Sequence, residues 1–272
     1  MKTTDEELKK LNPWKDYSFE HLFNDENTDL IHEADKEVVE KYNKKKDEDH
    51  KFIKWVPAIP FQGNPFNAKV IFLSLNPGYV EKLNKDAAKF LRNNCKEISN
   101  NLAKLWHNHM THNKINSMMP SKEEDENLYT AFQLIGDWYW VEKLEQLKTD
   151  TKLNDKEFYE KVALIELMPY SSRYCNDITT ELPTQEYTKK LIDHLRNRSG
   201  SDKPLFVVMR SEKYWGKLLF NDEIYHFENN NDFIIRKRDG LGRPLRAQSI
   251  NENAFINLEE DYNRIIIKIK SK

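Results

Sequence analysis

The sequence is poor in cysteine and contains no long apolar run. Its 272 residues include two cysteines, Cys95 and Cys175, and each stands alone in its neighbourhood. This spacing provides neither a disulfide framework nor a zinc ribbon, so both residues are predicted to be free thiols. No apolar stretch approaches the length of about 18 residues that a membrane span needs, and the first residues, MKTTDEELKK, lack the apolar part of a signal peptide. The default expectation is a cytoplasmic, monomeric protein with no membrane contact.

Common fingerprints of nucleotide-binding proteins and hydrolases are also missing. The sequence contains no G-x-G-x-x-G, no Walker lysine loop and no G-x-S-x-G elbow. The net charge of −2 argues against a protein that coats nucleic acid through bulk electrostatics. Residues 236–246, RKRDGLGRPLR, nevertheless carry five basic side chains against one acid. This run is either a solvated loop or a basic edge on a nearly neutral molecule.

Short apolar runs alternate with helical patterns along the chain. Four runs are typical of buried strands, at about 69–75, 162–168, 205–209 and 232–236. The alternation predicts an α/β fold, a three-layer α/β/α sandwich with a central, mostly parallel four-stranded sheet. Residues 1–54 are charged and helical in pattern, and they are predicted to form an N-terminal helical extension to an α/β domain at 55–272.

Three histidines lie close together in the stretch WHNHMTHN, at His107, His109 and His112. Such a group can in principle bind a metal ion, but no cysteine or carboxylate stands beside it in a suitable register. The favoured interpretation is a polar helix end or loop. No metal site and no cofactor is predicted.

Polar side chains follow each of the predicted strands. In a parallel sheet the loops after the strands meet at one edge, where ligands bind. These loops are 76–79, 169–173, 210–213 and 237–246, and they supply Asn, Tyr, Ser, Arg and Lys with little acid. Glu166 lies near the end of the second strand. The set suits a phosphate backbone and a polar planar ligand better than a metal or a nicotinamide.

The first of these loops begins with Asn76-Pro77-Gly78-Tyr79, directly after the apolar run VIFLSL. Pro77 restricts the backbone of Asn76 to an extended conformation, which gives the Asn76 amide a fixed position. A fixed amide can hold a water molecule without carrying a charge. The alternative is that Asn-Pro-Gly is only a turn that ends the strand.

Three strand ends, taken in chain order, resemble the uracil-DNA glycosylase superfamily. LSLNPGY at 73–79 is similar to the water-positioning motif of its Asn-Pro-Gly branches, VALIELM at 162–168 to its base-recognition strand, and FVVMRSEKYW at 206–215 to its third strand and serine loop. The resemblance covers about residues 55–265. It implies a monofunctional glycosylase, which flips a nucleotide out of DNA and cleaves the N-glycosidic bond to leave an abasic site, without a cofactor.

The resemblance also implies roles for individual residues. Asn76 would position the attacking water, and backbone N–H groups around Leu75 and Asn76 would stabilise the departing base. Gly78, Tyr79 and Glu166 would complete the base pocket. The DNA-contacting residues would be Ser171, Ser211, Lys237, Arg238, Arg243, Arg246 and Ser249, with Leu241 as a wedge that fills the gap left in the base stack. The histidine that relatives place after the fourth strand is missing from this loop.

Two departures from the family pattern bear on the substrate. Glu166 stands where uracil-removing relatives have an asparagine, and a glutamate accepts from an exocyclic amine such as cytosine N4. Gly78 stands where those relatives have a tyrosine that blocks 5-substituents, and it leaves room at C5. Together they predict a glycosylase for a 5-substituted cytosine, such as the hypermodified cytosines of phage DNA, in bacterial defence or repair.

The sequence also allows different interpretations. Glu166 can instead be a structural carboxylate paired with a nearby arginine such as Arg173. The whole protein can be a conventional repair enzyme for uracil or mismatched thymine, or a DNA-binding module that recognises a modified base without cutting. A small-nucleotide hydrolase on the same fold is also possible, but this sequence lacks a metal-binding set of acids for it.

Overall fold

The computed structural model describes twelve parts of the chain. These are residues 4–17, 29–78, 104–105, 107–112, 126, 129, 138–175, 181–209, 211–222, 227, 230–235 and 258–271. The fold and the contacts below are those of these residues.

The centre of the molecule is a five-stranded, mostly parallel sheet. Its strands are β1 (Phe61–Gln62), β2 (Val70–Ser74), β3 (Val162–Glu166), β4 (Leu205–Val208) and β5 (Phe233–Ile235). They are arranged in the order β1-β3-β2-β4-β5, with β1 antiparallel to β3 and the other neighbours parallel. The predicted α/β fold is therefore confirmed, and each of the four predicted strands is present but one or two residues shorter than expected. The prediction of four strands missed β1, because this strand has two residues and lies in the proline-rich stretch WVPAIPFQGNPF, which reads as irregular.

Helices pack against both faces of the sheet. The helices of the described residues are α1 (Asp5–Lys10), α2 (Lys36–Lys44), α3 (Trp138–Thr151), α4 (Asp155–Tyr159), α5 (Gln185–Arg196), α6 (Glu212–Phe220) and α7 (Leu258–Lys270). Residues 107–111 are also helical. In the described part of the chain, none of the helices combines the length and the apolar character that crossing a membrane requires.

The alternation of side chains along the strands shows which helices cover which face. Phe72 in β2 is in register with Leu164, whereas Phe61 in β1 is in register with Ile165, so the two phenylalanines point to opposite faces. Phe72 packs on Trp140 of α3, with 6.2 Å between ring centroids. Phe61 packs on Tyr187 of α5 at 6.0 Å. Because both faces are covered, the strands are buried along their whole length, which explains their nearly continuous apolar sequence.

The N-terminal segment contributes to the same hydrophobic core as the sheet. It contains α1, α2 and three short 3₁₀ turns, at Pro13–Asp16, Glu33–Asp35 and Glu48–His50. Its side chains Leu8, Trp14, Val39, Tyr42 and Phe52 are buried in one cluster with the strand residues. The segment is thus helical, as predicted, and the domain boundary at residue 54 stays a prediction.

Candidate active site

The loops that follow β2 and β3 run side by side at the carboxyl edge of the sheet. Leu167 N donates to Ser74 O at 3.1 Å, and Met168 N donates to Leu75 O at 2.8 Å. Further along, Gly78 and Ser172 form a parallel bridge. The two loops therefore stay paired beyond the strand ends.

The connection from β4 to α6 joins this edge through two hydrogen bonds. Met209 N donates to Leu73 O at 2.9 Å. The indole Nε1 of the buried Trp215 donates to Ser74 O at 3.0 Å. Ser211 lies between these two anchors in sequence, so the loops that carry Asn76 and Ser211 meet at the edge where β3 ends in Glu166.

The Asn76 side chain is held in one orientation by three acceptors. Its Nδ2 lies 3.0 Å from Pro77 O, 3.4 Å from Tyr170 O and 3.0 Å from Ser172 Oγ. Two of these are carbonyl oxygens, which can only accept, so the nitrogen must face them. Within the described part of the chain, Oδ1 receives no hydrogen bond, and the side chain is partly exposed. The amide oxygen is therefore positioned to accept a hydrogen bond from a water molecule.

Ser172 completes the orientation of Asn76. Its hydroxyl accepts from Asn76 Nδ2 and is a donor to Tyr174 O at 3.1 Å. In this loop the residue predicted to contact DNA is the neighbouring Ser171, which is only 1% exposed. Its carbonyl accepts from Ile53 N at 2.9 Å. The buried position of Ser171 does not favour a contact with DNA, and the sequence offered no means of choosing between two consecutive serines.

A buried hydrogen-bond network fixes Tyr170, the second residue that holds Asn76. The Tyr170 hydroxyl donates to Asp35 Oδ2 at 2.7 Å and accepts from His32 N at 3.2 Å. Asp35 also accepts from Thr184, from Oγ1 at 2.7 Å and from N at 3.1 Å. Burial and the adjacent Asp35 carboxylate raise the pKa of Tyr170, which keeps the phenol a neutral donor. The N-terminal segment thus helps to position Asn76, a role that the sequence did not reveal.

Glu166 is buried at the end of β3. It is in register with Ser74 and is only 2% exposed, and its backbone N donates to Pro60 O at 3.0 Å. Neighbouring strands lie about 4.8 Å apart and rise about 3.3 Å per residue, so extension of the strand geometry puts the Cα atoms of Glu166 and Asn76 about 8 Å apart. The two residues are therefore close to each other in the backbone at the carboxyl edge of the sheet.

Cys175 lies close to Ser172 and Glu166. Burial, opposed by a hydrogen bond with Ser172 and reinforced by the nearby Glu166 carboxylate, raises the pKa of the Cys175 thiol to about 12. The thiol is therefore neutral at pH 7, which disfavours a role as nucleophile. Cys175 is a free cysteine, as predicted. Its proximity to Glu166 and Ser172 was not apparent from a cysteine that stands alone in the sequence.

Gly78 borders open space. A Cβ atom built on this residue meets no atom within 4 Å in the described part of the chain, and the backbone is not in the left-handed region. Gly63 differs, because its φ is +77° and a Cβ atom there would lie 2.8 Å from Val162 O. Packing and backbone conformation explain the glycine at 63 but not the one at 78. Among the described residues, none fills the space beside Gly78.

Ser211 has a strained backbone. Its φ of 64° and ψ of 43° lie in the left-handed region, which costs a residue other than glycine about 1 kcal/mol or more. It occupies the N-cap of α6, yet its side chain makes no capping hydrogen bond. The hydroxyl is therefore not used to stabilise the helix. Strain of this kind is commonly found at functional sites.

Two of the three clustered histidines, His109 and His112, are buried in the core, whereas His107 is partly exposed. His112 follows the helical residues 107–111 and packs on Phe61, Phe66 and Tyr187. His109 Nδ1 accepts from Gly63 N at 2.8 Å. Burial lowers the pKa of His109 to about 4 and that of His112 to about 3, so both rings are neutral at pH 7. The predicted helix end is present, but the prediction that it is polar was wrong, because aromatic side chains enclose it. The described residues contain no group of three or more His, Cys, Asp or Glu side chains suited to a metal ion.

The remaining predicted site residues have different outcomes. Leu75, a predicted base-pocket residue, is buried. Arg173, the arginine named as an alternative partner for Glu166, forms an ion pair with Asp49, with 2.9 Å between Nη1 and Oδ1. Seven residues lie outside the part of the chain that the structure describes: Tyr79, Lys237, Arg238, Leu241, Arg243, Arg246 and Ser249.

Comparison with known proteins identifies no relative. No family model, no curated protein and no solved structure matches this chain.

Proposed function

We propose that this protein is a monofunctional DNA glycosylase that excises a 5-substituted cytosine and leaves an abasic site. The observation that carries the proposal is the fixed Asn76 amide, whose Nδ2 is held by Pro77 O, Tyr170 O and Ser172 Oγ while Oδ1 can accept from water. The likeness of three strand ends to the uracil-DNA glycosylase superfamily supports the same reaction class. The protein would act in the cytoplasm, in defence or repair.

In this reaction the bond between the sugar C1′ and the base nitrogen breaks, and the base leaves with the electron pair. Water adds to C1′, and its proton balances the charge on the departing base or is released to solvent. A water that donates to Asn76 Oδ1 has its lone pairs free to attack the cation-like sugar. Holding the water in place lowers the barrier through orientation, which does not require a charged base. Backbone N–H groups around Leu75 and Asn76 would stabilise the negative charge that develops on the base.

Glu166 supports cytosine as the base. A carboxylate accepts from the exocyclic N4 amine of cytosine, whereas uracil presents the O4 acceptor at that position and would be repelled. Glu166 is almost fully buried, so water would screen the interaction only weakly once a flipped base had entered the site.

Gly78 supports a substituent at C5. The space beside it is open in the described part of the chain, and neither packing nor backbone conformation requires a glycine there. A bulky 5-substituent such as those of hypermodified phage DNA could extend into this space.

DNA would be held in part by Ser211. Its hydroxyl makes no capping hydrogen bond to α6, and its strained backbone is maintained at the edge that carries Asn76. A phosphate beside the flipped nucleotide is the ligand proposed for it. The basic run 236–246, with Leu241 as wedge, lies outside the described residues and keeps its predicted role in DNA binding.

The proposal is tested by measuring which bases the purified protein releases. Oligonucleotides that contain uracil, mismatched thymine, cytosine, 5-methylcytosine, 5-hydroxymethylcytosine or glucosylated 5-hydroxymethylcytosine are incubated with the protein, and abasic sites are cleaved with alkali. We expect strand cleavage only with 5-substituted cytosines. Asn76→Ala should bind the same DNA without product formation, and Glu166→Gln, which preserves shape but not charge, should reduce the preference for cytosine.

The outcomes separate this function from its competitors. Release of uracil without release of any modified cytosine would show a conventional repair enzyme. Tight binding of modified DNA without any product would show a binding module. Either result would overturn the proposal.

A further inference from the structure

The loop that holds Asn76 also carries an exposed aromatic ring. Tyr174 is 58% exposed, although its carbonyl accepts from Ser172, the serine that is bonded to Asn76. A single exposed hydrophobic residue is common on protein surfaces, so the surroundings of the ring decide its meaning.

The backbone of Tyr174 is fixed on both sides. Its N–H donates to Asp49 O at 3.0 Å, and its carbonyl is bonded to the Ser172 hydroxyl. The preceding residue, Arg173, is bonded to the Asp49 side chain at 2.9 Å. A ring on such a fixed backbone loses little conformational entropy when a ligand covers it.

One side of the ring is supported by His50. The two ring centroids are 5.8 Å apart and the planes are inclined by 43°. His50 is itself held by Asp47, with 2.7 Å between Nδ1 and Oδ1. Because Tyr174 is more than half exposed and has His50 beside it, the ring is accessible to a planar group that stacks on it.

The segment that is hydrogen-bonded to Tyr174 carries basic side chains. Lys44, Lys45 and Lys46 are consecutive and lie at the end of α2, and the Lys46 ammonium is close enough to Cys175 to oppose the rise in the pKa of its thiol. The acids that follow are each engaged by a basic side chain: Asp47 by His50, Glu48 by Lys51 and Asp49 by Arg173. Residues 44–51 together with Arg173 contain five Lys or Arg side chains and three acids, which is a net charge of +2 with His50 neutral.

We propose that Tyr174 and His50 form a stacking platform for an unpaired DNA base next to the excised nucleotide, with Lys44, Lys45 and Lys46 near the phosphates. This inference rests on the proposed function, because it assumes that the ligand is DNA with a flipped-out nucleotide. It gives the N-terminal segment a part in holding that DNA. Every base has a π face, so the platform would hold a flanking base regardless of sequence, while Glu166 would select the base that is removed. Stacking of the neighbour also offsets the loss of base stacking when a nucleotide is flipped out.

The test compares DNA binding by Tyr174→Ala, Tyr174→Phe and a matched control. Leu11→Ala is the control, because Leu11 is a hydrophobic residue as exposed as Tyr174, at 59%. It lies at a different site, a cleft of about 1060 Å³ near the amino end of β2 that also includes Lys69 and Arg198. Binding of fluorescent single-stranded oligonucleotides that contain a 5-substituted cytosine is followed by anisotropy. Tyr174→Ala should weaken binding about 5- to 150-fold, as expected from stacking of one base. Tyr174→Phe and Leu11→Ala should bind like the wild type.

A second measurement reports on stacking directly. 2-Aminopurine placed beside the modified cytosine should lose fluorescence when the wild-type protein binds and keep it when Tyr174→Ala binds. Thermal denaturation tests whether the variants are folded. We expect them to be, because Tyr174 is largely exposed.

The results distinguish failure of the platform from failure of the proposed function. Unchanged DNA binding and unchanged base release by Tyr174→Ala would overturn the platform and leave the glycosylase intact. Weakened binding by Tyr174→Ala, together with no base release by the wild type, would support the platform and overturn the glycosylase. A wild-type protein that does not bind DNA would overturn both.

Discussion

Asn76 and Ser172 are joined by a hydrogen bond of 3.0 Å that connects the loops after β2 and β3. Pro77 O and Tyr170 O surround the same Asn76 nitrogen. A half-turn of the amide would place its oxygen against two carbonyl oxygens, so the orientation of this side chain is set by two loops together.

Asn76→Asp should be more damaging than Asn76→Ala. At pH 8 the aspartate would place negatively charged oxygen against Pro77 O and Tyr170 O, whereas alanine only removes the donor. We expect Asn76→Asp to lower the free energy of unfolding by about 2 kcal/mol, because buried acceptors lose their donor and face repulsion. Urea denaturation measures the stability, and single-turnover assays should show no base release by either variant. An active Asn76→Asp protein would contradict the proposed orientation of the amide.

Substitutions of Gly78 should change the choice of base without changing the fold. No described atom would contact a Cβ atom at this position. The free energies of unfolding of Gly78→Ala and Gly78→Tyr should therefore lie within about 0.5 kcal/mol of the wild-type value. Gly78→Tyr should block release of cytosines with bulky 5-substituents, while Gly78→Ala should retain it. Equal activity of both variants on the largest substituent would show that the substituent does not occupy this space.

Ser211→Gly and Ser211→Ala should have the same effect on DNA binding but different effects on stability. Both remove the hydroxyl that is proposed to bind a phosphate, so both should weaken binding to the same extent. Only glycine relieves the left-handed backbone at φ 64°, and Ser211→Gly should be more stable than Ser211→Ala by about 1 kcal/mol. Chemical denaturation and anisotropy titrations check the two parts separately. Wild-type affinity in both variants would exclude a role for this hydroxyl in DNA binding.

The buried histidines should make the protein sensitive to mild acid. The pKa of His109 in the folded protein is about 4 and that of His112 about 3, both below the ordinary value of 6.5. The unfolded chain therefore takes up protons first, so the stability is fully present above pH 6.5 and is lost as the pH falls towards these values. Each histidine contributes a slope of up to about 1.4 kcal/mol per pH unit.

His109→Asn provides the matched variant for this measurement. An asparagine can still accept from Gly63 N, but it does not titrate. Between pH 6.5 and 5 most carboxylates remain ionised, so the two buried histidines dominate the dependence on pH. In this range the free energy of unfolding of His109→Asn should change with pH about half as steeply as that of the wild type, because only His112 remains. The same slope in both proteins would show that His109 does not resist protonation.

The sheet could be predicted because its central strands are buried on both faces, and a continuous apolar run such as VIFLS is typical of that position. The edge strand Phe61–Gln62 could not, because two residues among prolines carry no periodicity. The histidine cluster was misread because polarity in the sequence does not reveal enclosure by Phe61, Phe66 and Tyr187, which come from distant segments.

The site itself was only partly predictable. Asn76 and Glu166 stood out because a parallel sheet brings its strand ends together. The contact between Asp35 and Tyr170 spans 135 residues of sequence, and no local pattern announces it. The choice between Ser171 and Ser172 depends on how the loop after β3 folds, which composition does not determine.

The pairing of the two loops has a consequence for how this chain can vary. Ser74 is in register with Glu166, and Gly78 is bridged to Ser172, so residues 75–77 on one side face the longer stretch 167–171 on the other. The loop after β3 therefore has two more residues than the loop after β2 between the paired positions. The extra residues let this loop bulge, so that Tyr170 reaches Asp35 while Ser172 returns to Asn76. The length of this loop, more than the identity of each residue in it, is what the site must keep. Side chains there can be exchanged, but a single insertion or deletion would bring a different residue to the Asn76 amide.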